Sequence, residues 1–323
     1  LTVAGVIDLH AHVVLADAFG TAGVYGPVHG DDVDGREFLR VGDYTMTPIP
    51  YRDSVFMDVE LRVAEMDRVG IERQMLSPNP LTFFGGVEPA AAIDFARATN
   101  DAMTALVAEH PDRLLGSAQL PMQDPDAAIA ELDRAVGDLG LVAAYVGTAY
   151  GMAFDDPRLD HFYHRVVELD VPLFVHGVTN DGRGPVADQR LRRFGLDLIV
   201  GYTYEETLAA AALVLGGVLD RHPGLDVCLS HGGGAIAFLA QRFDSMAAFR
   251  GAESDFAVTL GRLWFDSHLE PGRARDLVVD TVGIDRVVYG TNFGGWDTPE
   301  ATDDFDASLT PNAYRLLRLE VPA

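Results

Sequence analysis

The chain has 323 residues, 48% hydrophobic and 23% charged, which suits a globular protein with a large core and excludes a disordered or low-complexity chain. With 24 basic against 49 acidic residues, the formal net charge is −25. That excludes nucleic acid and anionic membrane as partners, because both need phosphates neutralised by cations. One cysteine, Cys228, excludes a disulfide framework and a thiolate zinc module. A small anionic substrate remains compatible with this charge if arginines are placed beside it, since the global field is screened beyond about 8 Å at physiological salt. Apolar runs such as Leu208–Leu219 fall short of the roughly 20 residues of a membrane span. No basic region precedes the first apolar run, so a cytoplasmic protein is expected.

In chain order, eight short apolar runs read as strands: Gly5–Val13, Arg73–Ser77, Leu114–Leu120, Leu141–Gly147, Pro172–His176, Asp226–His231, Leu263–His268 and Val287–Asn292. Amphipathic stretches lie between most of them. Asp58–Val69, Pro89–His110, Asp124–Leu139, Leu159–Leu169, Tyr204–Arg221 and Ala235–Phe249 carry helical spacing, several with Asp or Pro start signals. Strands alternating with helices imply parallel pairing. Eight such units predict one α/β domain over 1–323, a (β/α)8 TIM-type barrel. Two stretches break the repeat: Val14–Tyr51, a long insertion after the first strand, and Thr179–Gly195 after the fifth. Both follow the C-terminal end of a strand, which is the active-site face of such a barrel.

The first strand carries His10 and His12 at i and i+2, so both imidazoles share one face, with Leu9, Ala11 and Val13 on the other. Two inward imidazoles fit one metal ion. The fifth run stops on His176 and the sixth on His231, ahead of Gly232, Gly233 and Gly234. Histidines at three strand ends face the loops and are hard to place as core residues. His268 ends the seventh run, with Asp266 on its own face, as a pocket residue or half of a structural pair. Phe83, Phe84 and Trp296 follow strand ends, where they wall an aromatic substrate or pack their own loops. Cys228 reads as packed core.

The runs Ile7–His12 (IDLHAH), Phe174–Gly177 (FVHG), Leu229–Ala235 (LSHGGGA) and Val287–Asn292 (VVYGTN) resemble the amidohydrolase superfamily, in its metal-dependent decarboxylase branch. The resemblance implies His10, His12 and His176 as ligands of one divalent metal; zinc is the default for an imidazole-rich site, with manganese or iron as alternatives. It puts Asn292 where the family has an aspartate ligand, and Gly177 where the family usually has proline. It implies His231 as the acid/base, Arg52 and Arg242 as carboxylate binders, and a homodimer in which Arg242 reaches the neighbouring subunit's site. An asparagine at 292 offers a neutral carbonyl oxygen and cannot act as a base. The implied activity is non-oxidative decarboxylation of a small unsaturated or aromatic acid. The alternatives are a metal-dependent hydrolase or hydratase on the same scaffold, or a small-acid-binding barrel with altered metal chemistry.

Overall fold

The computed structural model describes residues 5–184, 186, 188–249, 256–295 and 300–320. Strand β1 (Val6–Val13) opens the main sheet, and β2 (Val28–Asp31), β3 (Glu37–Val41) and β4 (Tyr44–Met46) then form a separate three-stranded antiparallel sheet. The parallel strands resume with β5 (Ile71–Pro78), β6 (Leu114–Gln119), β7 (Ala143–Gly147), β8 (Leu173–His176), β9 (Val227–Leu229), β10 (Trp264–Asp266) and β11 (Val287–Val288). The eight-stranded sheet has the order β1-β5-β6-β7-β8-β9-β10-β11. It closes on itself where Leu9 N donates to Tyr289 O at 2.9 Å and Phe293 N donates to His10 O at 3.2 Å. This is the (β/α)8 barrel that the alternation predicts.

The helices are α1 (Val59–Val69), α2 (Pro89–Val107), α3 (Pro125–Gly137), α4 (Asp160–Glu168), α5 (Tyr202–Leu215), α6 (Val218–Arg221), α7 (Ile236–Phe249), α8 (Phe256–Leu260), α9 (Arg273–Val282), α10 (Asp304–Ser308) and α11 (Thr310–Leu316). Local chemistry sets several ends. Asp58 caps α1 by accepting from Leu61 N, Asp124 caps α3 by accepting from Ala127 N, and Pro89 and Pro125 take the first helical positions. The stretch expected as one helix over Tyr204–Arg221 is two. Gly216 ends α5, and Gly217, at φ +68°, turns the chain into α6. A π-helical turn, Asp197–Gly201, precedes α5. Counted from there, Asp197–Leu215 is 19 residues long and apolar enough to cross a membrane, longer than the run counted from Leu208. In this fold it lies along the barrel, with Ala209, Ala210, Leu213 and Val214 in the core.

Alternate strand residues sort into two layers. Ile7, Met75, Tyr145, Phe174, Cys228, Trp264 and Val288 fill the barrel interior, and α11 adds Ala313, Tyr314, Leu316 and Leu317 at one end. Ala11, Val13, Val146, Val175, Leu229 and Phe265 pack outward against the helices. Leu9 departs from the expected parity. The pairing of β1 with β5 shifts register between Asp8 and Ala11. Leu9 therefore joins the inner layer, while His10 and His12 still face inward and Ala11 and Val13 face out. A one-residue irregularity re-aims a side chain in this way. The insertion Val14–Tyr51, expected as loop, holds the small antiparallel sheet. Its Leu39, Val41 and Met46 pack with Phe84 and Phe95 in a third cluster.

Buried polar groups lock the barrel seam. Asp8 Oδ1 accepts from His10 N at 3.0 Å and Thr291 N at 3.1 Å, and Oδ2 accepts from Thr291 Oγ1 at 2.7 Å and Gln74 Nε2 at 2.8 Å. Burial pushes the Asp8 carboxyl up to about 6, against the pull of these donors. Arg62, on the inner face of α1, donates to Gln74 Oε1 at 2.6 Å and to His12 O at 2.5 Å, and lies 5.1 Å from the Phe293 ring centroid. Burial draws its guanidinium down to about 9. Arg62→Met keeps most of the volume and leaves two buried acceptors unpaired. A loss of about 2–4 kcal/mol in unfolding free energy is expected by denaturant titration. A loss under about 0.5 kcal/mol would show that the seam does not need it.

Candidate metal and active site

At the strand ends that carry the long loops, five imidazoles cluster. Ring centroids lie 4.9 Å apart for His10 and His12, 5.0 Å for His12 and His176, and 4.9 Å for His176 and His231. His268 follows at 5.1 Å from His231. Ring orientation comes from what each Nδ1 meets. His10 Nδ1 lies 2.6 Å from Asp266 Oδ2, His12 Nδ1 3.1 Å from Pro78 O, and His176 Nδ1 2.7 Å from Gly177 O. A carboxylate and two carbonyls can only accept, so all three Nδ1 atoms are donors and all three Nε2 atoms carry lone pairs.

Those lone pairs converge. His10 Nε2 and His12 Nε2 are 3.1 Å apart, a repulsive contact unless a cation stands between them. His176 Nε2 is buried with no hydrogen-bond partner among the described residues. His10, His176 and His231 bring their ligand-capable atoms within 4.8 Å of one another. Burial, and then the neighbouring imidazoles, hold His10 and His12 well below the ordinary histidine range, and burial takes His176 down to about 3. Neutral imidazoles with their second nitrogen pinned by a strand-end acceptor are the form that binds a divalent metal, so the donor set fits one.

Two carboxylates organise the centre, and sequence reasoning missed the first of them. Glu206, fully buried on α5, accepts from His231 Nδ1 at 2.7 Å and from Gly177 N at 2.9 Å, both on Oε1. Burial pushes its carboxyl up, opposed by the Gly177 N–H. A proline at 177 has no N–H to give, so the departure at Gly177 and the bond to Glu206 belong together. Glu206 lies within an alanine-rich helical run, and nothing in the local pattern marks it as inward. Asp266, weighed only as a neighbour of His268, holds His10 with Oδ2 and accepts from Gly232 N and His268 N with Oδ1, both at 3.1 Å. The glycines after β9 have a steric role: at Gly234, φ +68°, a Cβ would run into the Thr203 carbonyl oxygen.

These groups open into a cavity of about 1060 Å³, lined by His12, His176, His231, His268, Tyr51, Phe56, Tyr202, Arg275 and Asn292 among others. Asn292 is 8% exposed and takes φ +57°, a left-handed conformation that asparagine tolerates. The other expected site residues fall elsewhere. Arg52 is half exposed and paired with Asp31 at 3.2 Å, and it is not in the cavity lining. Phe84 is buried edge-on against Phe95 with centroids 4.6 Å apart, in the third cluster. Phe83 stacks parallel to Tyr145 at 6.0 Å and lies 6.4 Å from the His176 ring, beneath the imidazoles. Arg242 is exposed on α7. Trp296 lies outside the described residues. Cys228 is buried in the inner layer, and burial pushes its thiol up.

The chain is similar to known proteins in sequence and in fold. The pattern of the Amidohydrolase family (Amidohydro_2) matches residues 7–319. The gamma-resorcylate decarboxylase of Rhodococcus jostii is 31% identical over 286 residues, covering 80% of this chain and 83% of its own. The 2-amino-3-carboxymuconate-6-semialdehyde decarboxylase of Dictyostelium discoideum is 29% identical over 308 residues, covering 89% and 81%. Among solved structures, a dihydroxybenzoic acid decarboxylase from Polaromonas, crystallised with manganese and 2-nitroresorcinol, superposes with a TM-score of 0.74 at 24% identity, covering 97% of each chain.

The donor set generates a direct expectation. Protein prepared without chelator should carry close to one equivalent of a divalent ion by elemental analysis. His10→Ala, His12→Ala or His176→Ala should each cut this below about a tenth of an equivalent and lower the thermal midpoint, because a ligand that binds only the folded state stabilises it. Full metal content in the His176→Ala protein would show that the orphaned Nε2 is not a ligand.

Proposed function

Because the chain belongs to the Amidohydrolase family, matched from residue 7 to 319, we propose that it is a metal-dependent, non-oxidative decarboxylase of a small aromatic or unsaturated carboxylic acid. The observation that carries this reading is His231, tied to the buried Glu206 at 2.7 Å and facing the converging imidazoles across one cavity. The decarboxylases among its relatives support it. Three neutral imidazoles suit zinc first, and the same donors accept manganese or iron. A bound divalent ion supplies fixed positive charge that anchors and polarises the oxygen atoms of the substrate.

The remaining chemistry belongs to the chain. Glu206 accepts the Nδ1 proton of His231 and so favours the imidazolium form, whose second proton, on Nε2 at the ring edge facing the cavity, is given to the carbon that bears the carboxylate. Protonating that carbon interrupts conjugation and makes the ring an electron sink. The electron pair of the carbon–carboxylate bond then returns to the ring as carbon dioxide leaves. General acid catalysis of this kind is worth about 10²–10⁴-fold. Apolar and aromatic walls from Tyr51, Phe56, Tyr202 and Leu269 favour a planar ring and keep water from competing. Metal-loaded protein should release carbon dioxide from one or more dihydroxybenzoates or carboxymuconate-type acids. His231→Gln should lower kcat by at least about 100-fold while keeping its metal. Carbon dioxide release from none of the acids that bind would overturn the reading, and a hydrated product would favour the hydratase alternative.

We also propose a homodimer. Phe238 and Phe249 are 77% and 82% exposed on α7, and Met246 is exposed between them. Arg242 falls on this same stripe at i+4 from Phe238. Beside it on α5, Tyr204, Leu208 and Leu215 are exposed at helical spacing. Two adjacent apolar stripes with one arginine among them suit a second copy of the chain, with Arg242 directed to the partner's cavity. Mixing His231→Ala with Arg242→Ala protein, each inactive alone, should recover about a quarter of wild-type activity, because about half of the dimers are mixed and each mixed dimer has one intact site of its two. No recovery, with dimers formed, would show that Arg242 does not serve the neighbouring site.

A further inference from the structure

Arg275, near the start of α9, lines the same cavity as the imidazoles. Its side chain is only 18% exposed, yet none of its five N–H donors makes a hydrogen bond to a described residue, and Nε is fully enclosed. One face of the guanidinium lies 4.0 Å from the Phe305 ring centroid. The nearest carboxylate oxygen, Asp306 Oδ1, is 4.0 Å from Nη1, beyond hydrogen-bond length. Asp306 is also committed elsewhere: its Oδ2 accepts from Asp303 N at 3.0 Å while Asp303 Oδ1 accepts from Asp306 N at 2.9 Å, closing the cap of α10. Glu300 and Asp303 line the cavity as well, so this side of the mouth is acidic apart from Arg275.

A mostly buried guanidinium without hydrogen bonds is costly. The fold gives it a floor, Phe305, and places the side chain in the cavity lining. The chain contains no lysine, and Arg275 is the one arginine among the described lining residues. Arg52 is spent on Asp31 outside the cavity. We propose that Arg275 is a substrate-binding residue that takes a second carboxylate, so the preferred substrates are ring-bearing dicarboxylates with one acid group at the imidazole centre and the other on Arg275. A planar fork of N–H donors matches a carboxylate in two parallel bonds. This rests on the decarboxylase reading for which acid group is lost, and on the cavity alone for which molecules bind.

Binding without turnover tests it. Metal-loaded wild type, Arg275→Gln and Arg275→Lys are titrated calorimetrically with benzoate, isophthalate and terephthalate. Wild type should bind one of the two dicarboxylates at least about tenfold more tightly than benzoate. Arg275→Gln should abolish that preference and leave benzoate affinity within about twofold. Arg275→Lys should keep part of it, as a point charge without the fork. Equal weakening of all three ligands in Arg275→Gln would assign Arg275 to packing on Phe305 and overturn the proposal. So would an unchanged preference, or no preference in wild type. Because no step needs carbon dioxide release, the proposal and the decarboxylase reading can fail separately.

Discussion

Each metal-side imidazole has one nitrogen already committed, and the rest of the site depends on that constraint. Asp266, Pro78 O and Gly177 O fix the donors of His10, His12 and His176, so the acceptor nitrogens have one common direction left. Free imidazoles could rotate apart and relieve the 3.1 Å approach of the His10 and His12 nitrogens. These cannot, because rotation would break a buried bond worth about 1 kcal/mol or more and strand a carbonyl or carboxylate without its donor. The barrel supplies the acceptors: Pro78 ends β5, Gly177 follows β8 and Asp266 ends β10. Preorganisation here is a property of strand ends, which is why a closed barrel is a good scaffold for it.

The same constraint explains how the site can carry a neutral residue at 292. Elsewhere in the family the resemblance implies an anionic ligand there, and here an amide stands in its place. Negative charge has not left the neighbourhood. Asp266 sits behind His10, where it raises the basicity of the Nε2 lone pair through the ring. A metal ion held by His10 would feel that charge through the imidazole, while the amide of Asn292 would add none of its own. An ion less neutralised by its own ligands attracts an anionic substrate more strongly, and a carboxylate at 292 would compete for that same face. Gly177 shows a similar exchange. The N–H that proline lacks ties Glu206 to the end of β8, so one carboxylate couples that strand end to His231.

The eight barrel strands were legible because each is a short apolar run bounded by turn residues, and the alternation with amphipathic helices left one architecture. His10, His12, His176 and His231 were legible because they interrupt such runs at their ends. Leu9 was misjudged by parity, since the register shift in β1 comes from pairing with β5 and no local residue announces it. The hairpin of β3 and β4 was hidden inside a Gly- and Asp-rich stretch whose burial comes from Phe84 and Phe95, far along the chain. Phe84, which the sequence left between walling a substrate and packing, shows the reverse: a loop aromatic can close a core as readily as a pocket. Glu206, Asp266 and Arg275 carry roles that exist only in three dimensions, through a helix face, a neighbouring strand or an empty donor edge. No spacing rule in one sequence points to them.

Charge shows most clearly how local placement overrides the global sum. A chain of net charge −25 should repel small acids at long range, and salt reduces that repulsion to the width of a few side chains. Inside the barrel mouth the balance is set by a handful of groups. Arginine is the only strongly basic residue type in the chain, and arginine resists deprotonation when buried far better than lysine does. Most arginines with described partners are tied to acids on the surface, as Arg52 is to Asp31 and Arg68 to Glu65. Such pairs add solubility and little affinity. A cation whose donors are left unmatched by the fold, in a cavity that also gathers neutral imidazoles, is different in kind. Its desolvation has already been incurred on folding, so an arriving carboxylate gains the paired interaction without dehydrating the guanidinium again. Anion recognition by so acidic a protein thus follows from leaving the hydrogen-bond donors of one arginine open at the cavity.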